Sequence, residues 1–105
     1  MLKDTDQVII SGRRWFDKKN GNTYHSCRVF LNGELIGEIP YNYGYGDQWY
    51  QTGKEILINA GYWPKTGEVL SSGAKADEYN LEMYIREHRN NFTCLVSDVS
   101  RKKDL

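Results

Sequence analysis

Thr23–Ile39, "TYHSCRVFLNGELIGEI", decides the fold. Two β-forming runs flank Asn32-Gly33, the pair that most readily adopts the left-handed angles of a two-residue hairpin turn. If that turn is tight, Leu31 sits opposite Glu34 and Val29 opposite Ile36. Side chains alternate across a strand, so Cys27, Val29, Leu31 and Ile36 share one face, taken as the core side. Tyr24, Ser26, Arg28 and Phe30 point the other way.

Working outward, "VIISGRRWF" (Val8–Phe16) reads as a preceding strand, with Gly12 as a candidate bulge. Asn20-Gly21 marks a second tight turn between it and Thr23. Pro40 ends the third strand at Ile39. Asp47 then looks like a helix N-cap, its carboxylate accepting from backbone N–H groups two or three residues on. That helix runs to about Ala60 before Gly61 stops it, with Tyr50, Gly53, Leu57 and Ala60 on one stripe and Trp49 and Ile56 beside it. "YWPKTGEVLSSGAK" (Tyr62–Lys75) is a loop. Ala76–Arg89 is a second helix, acidic in its first turn and basic in its last, as the dipole favours. Its apolar stripe is Leu81, Tyr84, Ile85 and His88, the last read as a dipole partner. "FTCLVSDV" (Phe92–Val99) is a fourth strand, and residues 99–105 read as a frayed basic tail. The order β-β-β-α-α-β implies an α+β fold: an antiparallel sheet of about four strands with two helices on one face.

The chain has 105 residues, the size of a single domain spanning 1–105, with room for one modest core. Lysine plus arginine equals aspartate plus glutamate, 14 each. That balance argues against binding nucleic acid mainly by neutralising phosphates, and equally against an acidic nucleic-acid mimic. The two cysteines, Cys27 and Cys94, form no C-x-x-C pair, and no histidine stands at metal-ligand spacing, so neither a metal nor a cofactor is expected. The opening residues are too short in apolar length for a signal peptide, and no run approaches a membrane span. A cytoplasmic protein with reduced thiols is the expectation.

Tyr41–Tyr50, "YNYGYGDQWY", concentrates five aromatic residues and two glycines at a strand-to-helix corner. Tyr41, Tyr43, Tyr45, Asp47, Gln48 and Trp49 are therefore the first candidate binding surface. Tyrosine and tryptophan anchor protein interfaces, and rings beside helix N–H groups also suit a nucleotide. The plain alternative is that the rings pack the corner and Asp47 only caps. A second candidate is the basic first hairpin: Arg13, Arg14, Trp15, Lys18 and Lys19 would contact single-stranded nucleic acid, with Trp15 stacking on a base. His25 and Cys27 lie two apart on one strand face, as a nucleophile and its base would, but nothing supplies an orienting acid or an oxyanion hole. No enzymatic activity is expected.

Arg13–Leu35, Tyr43–Leu57 and Phe92–Leu105 contain G-N-T-Y-H-S, then N-G, then Y-G-Y-G-D-Q with a following aromatic and threonine, then V-S-D-V-x-R-K-K-D-L. Together they resemble a family of small uncharacterised proteins encoded by bacteriophages and prophages. The likeness covers most of the chain, the Tyr62–Asp77 region excepted. It implies a viral source and a bacterial host cytoplasm. It carries over no catalytic or binding residue. The reading is a phage-encoded binding protein that engages a host protein or complex, with inhibition of a host defence system as one form of this. The alternative is a nucleotide or single-stranded nucleic-acid binder.

Overall fold

The computed structural model describes all 105 residues. β1 (Val8–Asp17), β2 (Asn22–Leu31) and β3 (Glu34–Tyr43) form a meander, followed by helices α1 (Gln48–Asn59) and α2 (Ala76–Glu87) and strand β4 (Phe92–Val99). The sheet order is β3-β2-β1-β4. Asn32 and Gly33 both take positive φ, 50° and 85°, as the hairpin requires. The first turn is built differently from an isolated Asn-Gly turn. Asp17 pairs with Asn22, so four residues make the loop. The Asp17 carboxylate accepts from the Lys19 and Asn20 amides and the Asn20 side chain.

The sheet is α+β as expected but mixed: β1 and β2 are antiparallel, as are β2 and β3, whereas β4 lies parallel to β1, Val8 beside Phe92. The helices cause this. β3 ends beside Tyr24, at the hairpin end of the sheet. α1 then runs back across the strands, Trp49 over Gly12 and Gly53 over Ile10. The end of α2 meets the segment before β1, where His88 and Tyr84 reach Asp4. The chain thus re-enters the sheet at the end where β1 begins and must run alongside it, as helical crossovers dictate. β3 also departs from expectation, continuing through Pro40 to Tyr43. It is an edge strand, where a missing N–H is tolerated. Register shifts place Val29 opposite Gly37 instead of Ile36.

The core lies between the sheet and α1, built from Val8, Ile10, Cys27, Val29, Trp49, Ile56, Leu57 and Ile58, with Leu2, Leu81 and Ile85. α2 ends at Glu87, and a short 3-10 turn, Arg89–Asn91, completes the region read as helix to Arg89. Ala60, expected on the buried stripe of α1, is exposed, and Lys54 is buried instead. The Lys54 ammonium is only 4% exposed and lies 3.3 Å from Glu82. Tyr50 donates to the same carboxylate at 2.8 Å, and Arg86 joins it at 3.0 Å. Burial alone would raise the Glu82 carboxyl. The hydrogen bonds from Tyr50, Arg86 and Lys54 overcome that and hold it below its ordinary range. This network ties α2 to α1.

Candidate functional site

One face of the sheet carries both helices and the other carries none. The alternation anticipated for β2 holds: His25, Cys27 and Val29 are buried under α1, and Tyr24, Arg28 and Phe30 stand on the open face. Register brings Trp15 beside Tyr24, Ile9 beside Phe30, and Tyr24 beside Tyr43. The rings form a row. Trp15 stacks on Tyr24 at 5.8 Å between centroids, and Tyr24 stacks on Tyr41 at 4.9 Å. Tyr43 meets Tyr24 edge-on at 5.7 Å. Such offset and edge-on geometries suit the ring quadrupoles. Beyond the rings, Ile9, Leu35 and Leu95 extend the apolar surface, Leu95 being 47% exposed.

The segment read as a frayed tail is folded across this face. Its Lys102–Asp104 residues form a 3-10 turn. Arg13 donates to the Asp104 carbonyl at 3.0 Å, and the Lys102 ammonium lies 4.7 Å from the centre of the Tyr41 ring. Arg13, an open-face residue, provides the anchor that composition alone does not reveal. Under this cover lies Ser26, the partner of Arg13 across the β1–β2 ladder. It is fully buried, and its hydroxyl has no hydrogen-bond partner.

The corner Tyr43–Gln48 sits at the end of the same row. Gly44 and Gly46 have φ of 152° and 62°, which only glycine adopts without strain. His25 holds the corner in place. A carbonyl can only accept, so Nδ1–H donates to the Gly44 oxygen at 3.3 Å, and Nε2 accepts from the Thr52 hydroxyl at 2.7 Å. Burial lowers the His25 pKa, which the Gly44 bond only partly offsets, so the environment favours the neutral imidazole. Arg14 makes the second tie, donating to the Gly46 carbonyl at 3.0 Å and to Asp98 at 2.8 Å. The three sequence motifs therefore converge: Arg14 and His25 from the first grip the glycine corner of the second and Asp98 of the third.

The candidate residues separate accordingly. Tyr41 and Tyr43 join Trp15 on the open face, uniting the two surfaces read separately from sequence. Tyr45 is 77% exposed at the corner, beside Asp47 and Gln48. Asp47 occupies the N-cap position, but its side chain makes no cap bond. Its ψ of 16° leaves the extended conformation in which a capping carboxylate turns back onto the helix. Trp49 is a core residue, 6% exposed and wedged against Gly12. Arg14 faces the helix side and is engaged by Asp98, while Lys18 and Lys19 sit exposed in the hairpin turn. His25 and Cys27 are both fully buried, and burial pushes the Cys27 thiol up to about 12, so the pair offers no accessible nucleophile. Tyr24, Phe30, Leu35, Leu95 and Lys102 belong to the surface and were missed. The strand alternation that turned Tyr24 and Phe30 away from the core was the available signal.

Comparisons with protein-family models, with curated proteins and with solved structures found no match.

Proposed function

We propose that the chain is a small, non-enzymatic binding protein that docks on a host protein through the helix-free face of its sheet. The supporting observation is that this face, which no helix packs against and only the C-terminal segment crosses, exposes Ile9, Leu35, Tyr41, Tyr43 and Leu95 around the Trp15–Tyr24–Tyr41 row. Apolar residues clustered on one face of a small protein mark interaction surfaces, and aromatic residues lead among interface anchors. Charge ranks a protein partner above a nucleic acid. Arg28 pairs with Glu38, Arg101 pairs with Asp104, Arg13 is held by a carbonyl and Lys102 by a ring. On and beside this face that leaves Lys18, Lys19 and Lys103 for phosphates. The phage resemblance supplies the setting: a bacterial cytoplasm, with a host defence component as one fitting partner. No helix is long and apolar enough to cross a membrane.

Single-stranded nucleic acid is the second reading, favoured by the union of Trp15 with the tyrosine row, since bases stack on such rings. Parallel capture from a bacterial lysate separates the two. Wild type, Leu95→Lys on the open face and Met83→Lys on α2 would each be tagged, and the captured protein and nucleic acid quantified. The reading expects one stoichiometric protein with wild type and Met83→Lys, and its loss with Leu95→Lys. Salt-sensitive capture of oligonucleotide would instead establish the second reading. Equal capture by all three variants would dismiss the open face.

A further inference from the structure

We infer that the outer side of the Tyr41 ring is a seat for a cation, and that the protein partner fills it with a lysine or arginine side chain after displacing the chain's own Lys102. This rests on the docking reading above and adds to it the chemistry of the contact.

The row Trp15–Tyr24–Tyr41 ends at Tyr41. Tyr24 takes one side of that ring, and an ammonium 4.7 Å from its centroid takes the other. Ring faces carry the negative part of the aromatic quadrupole and attract a positive charge, more so when water is excluded. Lys102 thus shows what the seat accepts. It reaches the seat on a six-residue segment, Ser100–Leu105, that leaves the β4 edge of the sheet, touches Tyr41 on β3, the opposite edge, through Lys102, and then meets Arg13 on β1 through Asp104.

Two features make Lys102 an incomplete occupant. The Ser26 hydroxyl, buried on this face, finds no partner in the arrangement. Buried hydroxyls are normally paired, so the arrangement that includes the docked segment leaves one polar group beside Arg13 unsatisfied. The segment's one hydrogen bond to the sheet is the side-chain-to-carbonyl bond from Arg13, which acts beside the Lys102–Tyr41 contact and the packing of half-buried Leu105. The Arg101–Asp104 pair lies within the segment and adds nothing to its attachment. A partner therefore displaces it without disturbing the strands beneath. The segment acts as an internal competitor, so the seat is closed to weak cationic ligands and opens to a partner that also covers Leu35 and Leu95.

The test uses the full chain and a free peptide with the sequence of its residues 99–105, "VSRKKDL". Binding is followed by NMR through the Tyr24 and Tyr41 ring signals, with thermal unfolding to confirm that each variant folds. Lys102→Met empties the seat and keeps the apolar stem. This variant is expected to bind the peptide at least tenfold more tightly than wild type. Adding Tyr41→Leu should abolish binding, and adding Tyr41→Phe should preserve it, because the ring and not the hydroxyl is required. Equal affinity for wild type and Lys102→Met would overturn the inference. So would binding that survives Tyr41→Leu, or none to Lys102→Met at millimolar peptide. If the seat fails while Leu95→Lys still releases the captured partner, the docking surface stands without it. If Leu95→Lys releases nothing while the peptide result holds, the seat is real and the docking reading falls.

Discussion

Two aromatic residues four positions apart belong to different parts of the molecule. Trp49 fills the space over Gly12, whereas Tyr45 projects from the corner into solvent. Trp49→Ala should cost about 3–5 kcal/mol, the range for removing a large buried ring, and Tyr45→Ala should stay within about 0.5 kcal/mol. Urea midpoints read both, and a large loss from Tyr45→Ala would place that ring in the core. His25 gives a pH prediction. Its folded pKa is lowered by burial from the ordinary 6.5, so the unfolded chain binds the proton more readily. The stabilisation is fully present above 6.5 and is lost as pH falls from there through the folded value. Wild-type Tm should therefore drop between neutral pH and pH ~5. His25→Gln should start lower and vary less across that window. Parallel curves would show that another group carries the dependence.

Among the elements, the strands were legible because their signals are local. Asn32-Gly33 fixed the hairpin, and alternation along β2 assigned both faces of the sheet. The direction of β4 was not legible, because it is set by where two helices deliver the chain and not by any residue within Phe92–Val99. The extension of β3 past Pro40 was hidden for a similar reason: a proline is excluded only from central strands, and edge position is a property of the assembled sheet. The candidate site was half legible. The aromatic corner and Trp15 stood out as composition, but their union depended on register between three strands. Gly12 illustrates what sequence reading assigns wrongly. A glycine within a strand pattern makes a candidate bulge, yet the ladder runs through it without a register shift, Gly12 opposite Cys27. Its role is to admit α1, since a Cβ there would stand 2.8 Å from the Trp49 ring. Gly12→Ala should cost about 1–3 kcal/mol through overpacking. Circular dichroism and a denaturant titration would check this, and an unchanged midpoint would mean that the helix shifts freely over the sheet.

At the scale of the whole molecule, the sheet divides labour between its faces. The helix side holds the core, so truncations there act on stability: Leu57→Ala, at a fully buried position, should cost about 2–5 kcal/mol. The open side adds little to folding, so Leu95→Lys and Tyr43→Ala should leave the unfolding midpoint nearly unchanged while weakening capture of the partner. The same division governs the Ser100–Leu105 segment. It crosses the open face without entering the core, and its amides should exchange with solvent far faster than those of β1 and β2 beneath it. Two of those amides are hydrogen-bonded only within the turn, Asp104 to Arg101 and Leu105 to Lys102. Their protection should fall further in Arg13→Ala, which removes the bond to the Asp104 carbonyl, with no change at Ile10 or Val29. Hydrogen exchange followed residue by residue reads both. Loss of protection at the core strands in Arg13→Ala would show that the segment is part of the folding unit, and a surface that must stay covered to fold could not be cleared for a partner.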